Sequence, residues 1–186
     1  ESAACGPRLG GSAAIEIPGG WLHTAIVQLD RPRHVNPADV PGWCHGCGPG
    51  NESSIVVYKS NASGKEWEYV STMARASDYP HSFEGPNEHD FTLLPDKKTI
   101  LAVVRMDGGD GCGALGPNET QHYLPYHATL SHDFGLTWSP LRPIDAGCAR
   151  PRLQVLGDVI LMSGGRYRSR NTSDVILWLG DSSGTG

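Results

Sequence analysis

The sequence predicts an all-β protein built from short antiparallel strands, and three observations carry that prediction. Apolar residues do not recur with a helical period over any long stretch. They fall in short β-type runs bounded by turn-forming residues, which is the spacing of strands. Glycine (24) and proline (14) fill about a fifth of the 186 positions, against roughly 12% in average usage, and they punctuate the runs instead of forming one tract. With 38% hydrophobic and 19% charged residues, the chain is too apolar for a disordered polyelectrolyte and long enough to bury a core.

Strands are expected at 24–29, 54–58, 91–94, 99–104, 127–130, 153–156, 159–162 and 174–179. Pro95-Asp96-Lys97-Lys98 joins two of them as a tight hairpin, and Gly157-Asp158 joins two more with only two residues between the apolar runs. A turn motif then repeats. Its fullest copy is Ser131-His132-Asp133-Phe134-Gly135-Leu136-Thr137-Trp138. Ser60-Asn61-Ala62-Ser63-Gly64-Lys65-Glu66-Trp67 keeps Ser, Gly and Trp at the same offsets, and a third copy begins at Gly180-Asp181-Ser182-Ser183-Gly184. Each copy follows a β-type run. The residue types suit a tight hairpin: Ser and Asp side chains satisfy backbone groups, and Gly permits a positive φ.

The pattern S-x-D-x-G-x-T-W resembles the Asp-box turn of sialidase-type β-propellers. The resemblance implies a six-bladed β-propeller in which the Trp packs between neighbouring blades and the box itself is scaffold, away from the pocket. A four-stranded blade takes about 40–50 residues. The chain therefore holds about three, with approximate bounds 12–80, 81–145 and 146–186, the last shortened. Three open blades would expose strand edges and apolar blade faces. The chain accordingly reads as part of a larger propeller, and the remaining blades are its first expected partner.

The strongest chemical constellation runs from Asn87-Glu88 through Leu94-Pro95-Asp96 and Ile100-Leu101 to Arg105. A hairpin returns its second strand to the rim where the first began, so Glu88 and Arg105 should be spatial neighbours. By spacing alone, a surface ion pair of little energetic weight would explain them as well. The segment also resembles one blade's inner edge in exo-α-sialidases. There a Glu acts as base to a tyrosine nucleophile and an Arg binds the substrate carboxylate, roles that Glu88 and Arg105 match. The hairpin departs from the family in reading Asp96-Lys97-Lys98 where Asp-Gly is favoured.

This chemistry has a reason. Sialic acid carries a carboxylate on its anomeric carbon, which guanidinium groups hold by bidentate, charge-assisted hydrogen bonds. A neutral tyrosine hydroxyl, deprotonated by a neighbouring Glu, avoids the repulsion that a carboxylate nucleophile would meet. A further binding arginine is expected in Gly164-Gly165-Arg166-Tyr167-Arg168-Ser169-Arg170, with Arg166 and Arg170 ranked equal and Arg168 below them. A solvated basic loop is the plainer alternative for all three. Arg150 and Arg152 alternate in direction, so one could face the pocket, but inter-blade contacts are the first expectation for both. Tyr167 is not taken as the nucleophile, which in the family comes from a later blade. Asp30 and Asp39 are unsupported candidates for the acid/base. The chain would then carry only part of a site that releases terminal sialic acid from glycoconjugates. Two rivals stay open: a lectin-like propeller binding sialylated or other acidic sugars, and a purely structural one.

The remaining features mainly exclude. A net charge of −5 and a pI near 5.9 give no basic nucleic-acid footprint. No apolar run approaches the roughly 20 residues of a membrane span. The five cysteines (Cys5, Cys44, Cys47, Cys112, Cys148) leave at least one unpaired within the chain or paired outside it, and Cys44-His45-Gly46-Cys47 reads as a structural loop or local disulfide. No cofactor or metal is expected. The eight histidines show no ligand spacing, and strand alternation turns His89 away from Glu88 and Asp90. Four of six asparagines open N-x-S/T sequons (Asn51, Asn61, Asn118, Asn171), where the 25 Ser and Thr in 186 residues predict about one. That points to glycosylation and a secreted, lysosomal or extracellular setting.

Overall fold

A computed structural model describes residues 8–9, 14–27, 29, 53–80, 82, 85–107, 123–147, 150–169 and 172–184. Strands follow in chain order as three antiparallel sheets. The first holds β1 (Arg8–Leu9), β2 (Ile15–Ile17), β3 (Gly20–Val27), β4 (Ser54–Ser60) and β5 (Trp67–Ala74), with β1 and β2 both paired to β3. The second runs β6 (Gly85–Leu93), β7 (Ile100–Asp107), β8 (Tyr123–Ser131) and β9 (Arg142–Ala146). The third runs β10 (Arg152–Leu156), β11 (Val159–Ser169) and β12 (Thr172–Asp181). One 3-10 turn, Ala76–Asp78, is the only helical element among the described residues.

The sheets stack face to face, and β7 shows why. Its run Ile100–Val104 is buried on both sides. Ile100, Ala102 and Val104 join Leu22, Ile55, Val57 and Phe91 in a core against the first sheet. Leu101 and Val103 join Tyr126, Ala128, Ile160 and Met162 in a core against the third. Alternation along one central strand thus supplies two interfaces, which is how successive sheets of a fan share a middle member.

The hairpin after β6 closes as its residues require. Asp96 Oδ1 accepts from the Lys98 and Thr99 amides at 2.9 and 2.8 Å, and Oδ2 accepts from Thr99 Oγ1 at 2.6 Å. The departure from Asp-Gly has a cost that the backbone exposes: Lys97 sits at φ 58°, the left-handed region that favours glycine. Lys97→Gly should therefore raise stability by about 0.5–1 kcal/mol, the relieved strain being partly offset by glycine's greater chain entropy. A thermal melt that falls or stays put would refute this.

The turn at 131–138 uses every residue of its motif. Ser131 Oγ donates to Asp133 Oδ1 at 2.8 Å and accepts from the Gly135 amide at 2.8 Å. Asp133 also receives the Thr137 amide at 2.9 Å and the Thr137 hydroxyl at 2.5 Å. In the two degenerate copies the polar anchor moves to the second position. Asn61 Nδ2 donates to Glu66 Oε2 at 2.9 Å, and Asp181 Oδ1 accepts from the Ser183 amide at 2.8 Å. In both, the glycine amide then bonds the anchor's carbonyl (Gly64 to Asn61 at 2.9 Å, Gly184 to Asp181 at 3.2 Å).

Four strands escape the sequence reading: β1, β2, β5 and β9. Others run longer than their apolar stretches, and Arg166 lies within β11, opposite Asp174. All five cysteines lie outside the described residues, as do Asp30, Asp39, Asn51, Asn118, Asn171 and Arg170. No helix among the described residues is long and apolar enough to cross a membrane.

Candidate functional site

β6 and β10, the first strands of the second and third sheets, meet edge to edge, and the carboxylates of β6 make the junction. Asp90 Oδ2 accepts the Leu153 amide of β10 at 2.8 Å, while Asp90 Oδ1 accepts the amide of Phe91 at 3.0 Å. Two residues earlier, Glu88 reaches the chain that enters β10. The β6–β7 register pairs Pro86 with Met106 and His89 with Val104, so Asn87 and Glu88 together oppose Arg105 alone. That is a β-bulge, a device that re-aims side chains at a strand's end. Asn87 Oδ1 supports it by accepting the Glu88 amide at 2.5 Å.

Glu88 and Arg105 meet. Arg105 Nη1 donates to Glu88 Oε2 at 2.8 Å. Arg150 adds two more bonds, from its amide to Oε2 and from Nε to Oε1, both at 2.9 Å. Burial alone would raise the Glu88 pKa. The Arg150 amide, the Arg105 charge and the two guanidinium hydrogen bonds outweigh it and hold the carboxyl below its ordinary value. Glu88 is thus an anion at neutral pH, suited to accept a proton or hold a cation, and unsuited to act as a general acid.

The two arginines differ in what they leave available. Arg105 has a side chain only 9% exposed and is committed to Glu88, so it is an anchored counter-charge more than an open fork for a ligand. Arg150 is 74% exposed at its side chain. Arg150 reaches from the chain ahead of β10 to Glu88 on the second sheet; the sequence alone leaves open which of Arg150 and Arg152 does so. A residue just ahead of a strand on the following sheet carries no sequence mark of which carboxylate it will meet. Arg166 stands on β11, paired in register with Asp174 of β12.

His89 faces the other way, as alternation requires. Its Nδ1 lies 2.7 Å from the Asn87 carbonyl and its Nε2 lies 2.6 Å from Thr24 Oγ1 on β3. The carbonyl can only accept, so Nδ1 carries the proton and Nε2 accepts from the Thr24 hydroxyl. Burial lowers the His89 pKa further. Among the described residues no group of three His, Cys, Asp or Glu is placed to hold a metal ion. A cleft of about 380 Å³ opens elsewhere, between the second and third sheets, over Leu101, Ile160, Met162 and Trp178. Glu88 does not line it, and its walls belong to the inter-sheet core.

Comparison with solved structures decides the architecture. The chain matches an α-L-arabinofuranosidase from Fusarium graminearum, determined as an E242A mutant with an iminosugar inhibitor, at a TM-score of 0.55 and 15% identity over 92% of this chain and 44% of that one. It matches a Penicillium chrysogenum α-L-arabinanase complexed with arabinobiose at a TM-score of 0.56 and 16% identity, over 95% of this chain and 46% of that one. The fold the matches show is a β-propeller. The chain spans under half the length of either structure. No family model matches the sequence, and no curated protein does. Both structures are arabinose-directed enzymes; neither is a sialidase.

Proposed function

We propose that the protein is a propeller-type glycoside hydrolase and that this chain supplies Glu88 and its two arginines to the site. One observation carries the reading: an ionised, one-quarter exposed carboxylate stands where the leading strands of two adjacent sheets converge, held in place by Arg105 and Arg150. The finer proposal is exo-sialidase action, with Glu88 as base to a tyrosine hydroxyl from elsewhere in the protein. The tyrosine oxygen would attack the anomeric carbon, the aglycone oxygen would leave with a proton from an acid, and Glu88 would hold the tyrosine's proton. The sequence's arginines favour an acidic sugar, because a carboxylate is what a guanidinium recognises best. The sequons, of which Asn61 is exposed, support passage through the secretory pathway.

The test uses the full-length protein secreted from eukaryotic cells, assayed on a fluorogenic sialoside and on an aryl α-L-arabinofuranoside. Glu88→Gln should lower kcat by about 10²–10⁴. Unchanged turnover in both Glu88→Gln and Arg105→Ala would end the catalytic assignment. Turnover of the arabinoside alone would keep the hydrolase and remove the sialic-acid substrate. A chain that stays in the cell without glycan would remove the secretory assignment. A second reading, glycan binding without turnover, is favoured by the three hydrogen bonds Glu88 already accepts, which dull a base. Saturable sialoside binding with no product would select it.

A further inference from the structure

β6 and β10 belong to separate sheets, so among the described residues no backbone ladder joins them where they meet. The amides along that junction still need acceptors, and two carboxylates of β6 supply them. Asp90 stands between a pair of such amides. Its Oδ1 accepts from Phe91 of β6 at 3.0 Å, and its Oδ2 accepts from Leu153 of β10 at 2.8 Å. Two N–H groups cannot bond each other, but the two oxygens of one carboxylate let both strands donate. Glu88, two residues earlier, takes the Arg150 amide and Arg150 Nε, both at 2.9 Å. Pro151, between these donors, is buried and has no N–H to place.

The two anchors are unequal. Asp90 is only 8% exposed, and both of its donors are backbone groups. The ion pair of Glu88 with Arg150 joins side chains 26% and 74% exposed, and a pair this open contributes little by itself. The dependence therefore runs from Asp90 to Arg150. Leu153 lies three residues beyond Arg150, and the ring of Pro151 fixes φ between them. Holding the Leu153 amide thus holds the Arg150 backbone, and with it the amide that Glu88 accepts. That amide is the largest of the influences that lower the Glu88 pKa, ahead of the Arg105 charge.

We infer that Asp90 is a positioning residue: by holding Leu153 it sets Arg150 on Glu88, and so fixes the placement of the carboxylate that the proposed hydrolase uses. Its consequence for turnover rests on that hydrolase reading. The arrangement itself does not, since every group in it stands on or beside β6 and β10.

The test follows the Glu88 carboxyl directly, by 13C NMR titration of the full-length protein labelled at its glutamate carboxyls, the signal being identified by its loss in Glu88→Gln. Asp90→Asn keeps the shape but turns an NH2 group toward one of the two amides. Arg150 should then drift from Glu88, and the Glu88 midpoint should shift upward. Asp90→Ala should shift it further, and Asp90→Asn decides the matter if Asp90→Ala does not fold. A direct charge effect has the opposite sign, because removing a negative neighbour favours the ionised form and shifts the midpoint down. A merely structural role is read by Asp145→Ala, which removes another bond between the same two sheets, to Trp178 Nε1 at 2.6 Å. That variant should lower the melting temperature and leave the midpoint where it was. An unmoved or downward midpoint in Asp90→Asn, or an equal upward shift in Asp145→Ala, would overturn the inference. The titration needs no turnover, so it decides the role of Asp90 separately from the glycoside assays. In an active protein the acid limb of kcat/KM should move up together with the midpoint.

Discussion

Gly164→Ala should destabilise the chain by about 2–3 kcal/mol, the cost of overpacking a tight core site. The reason is Tyr126, which is fully buried between the second and third sheets. A methyl group at Gly164 would lie 2.6 Å from the Tyr126 hydroxyl oxygen and 3.1 Å from Cζ. A flexible side chain could swing aside, but this ring cannot. On its other side, a methyl group at Gly147 would stand 2.8 Å from three ring atoms, so the ring lies against that glycine as well. Its edge meets Trp178 at 5.9 Å between centroids, and its hydroxyl donates to the Gly165 carbonyl at 3.1 Å. Trp178 is itself held by Asp145 Oδ2 at 2.6 Å.

For a domain of this size the melting temperature should drop by about 2–4 °C per kcal/mol. The closest atom in the clash is the hydroxyl, so Tyr126→Phe should relieve part of the Gly164→Ala penalty while costing about 1 kcal/mol by itself for the lost hydrogen bond. The two substitutions should therefore be less damaging together than their separate effects predict. A melt of Gly164→Ala that matches the parent, or strict additivity in the cycle, would show that the ring is not clamped.

The second large effect is a loss of stability on mild acidification, before carboxylates titrate. His89 is buried and its pKa is lowered first by burial, with the His23 and Arg152 charges adding to it and the Asn87 carbonyl and Asp90 opposing it. Burial lowers His23 and His127 as well. A histidine with a depressed folded pKa binds its proton more readily when unfolded. Its contribution is complete above the unfolded value near 6.5 and is lost as pH falls below it, by up to about 1.4 kcal/mol per pH unit for each such group. Glu88, Asp96 and Asp133 have lowered pKa values too. Their contributions are present above the ordinary carboxylate range and are lost as pH falls through their folded values. Both stages have the same sign, so stability should decline steadily from pH 7 and steepen below about pH 4. Denaturant unfolding between pH 5 and pH 7.5 reads this directly. His89→Gln should flatten the upper stage, and a parent curve already flat over that interval would refute the assignment.

Much of the scaffold is legible in the residues because its causes are local. Asp96 and Asp133 organise their own hairpins with donors two to four residues away, and Gly135 needs only a backbone angle. The adjacency of Glu88 and Arg105 is also local, since one hairpin separates them. Outer strands are harder to see. β5 is exposed at its first three residues and carries Glu68, Ser71 and Thr72, and β9 contains Pro143 and Asp145. Strands that bury little need no apolar run, so they leave no pattern to find. The Asp-box likeness led to sialidases, and the solved structures that match are named an α-L-arabinofuranosidase and an α-L-arabinanase; a turn motif reports how a blade is closed and not what the centre of the ring binds.

By itself, then, the order of residues determined that this chain folds as short antiparallel strands with a recurrent tight turn, because each instruction acts over a short stretch of chain. The tertiary structure alone decided that Arg150 joins Arg105 on one carboxylate, that the Thr24 hydroxyl meets His89 Nε2, and which apolar residues of the described strands stay exposed. Those outcomes depend on which sheets lie against which. That choice is made by two cores drawing residues from strands far apart in the chain, through contacts that no short stretch of sequence contains.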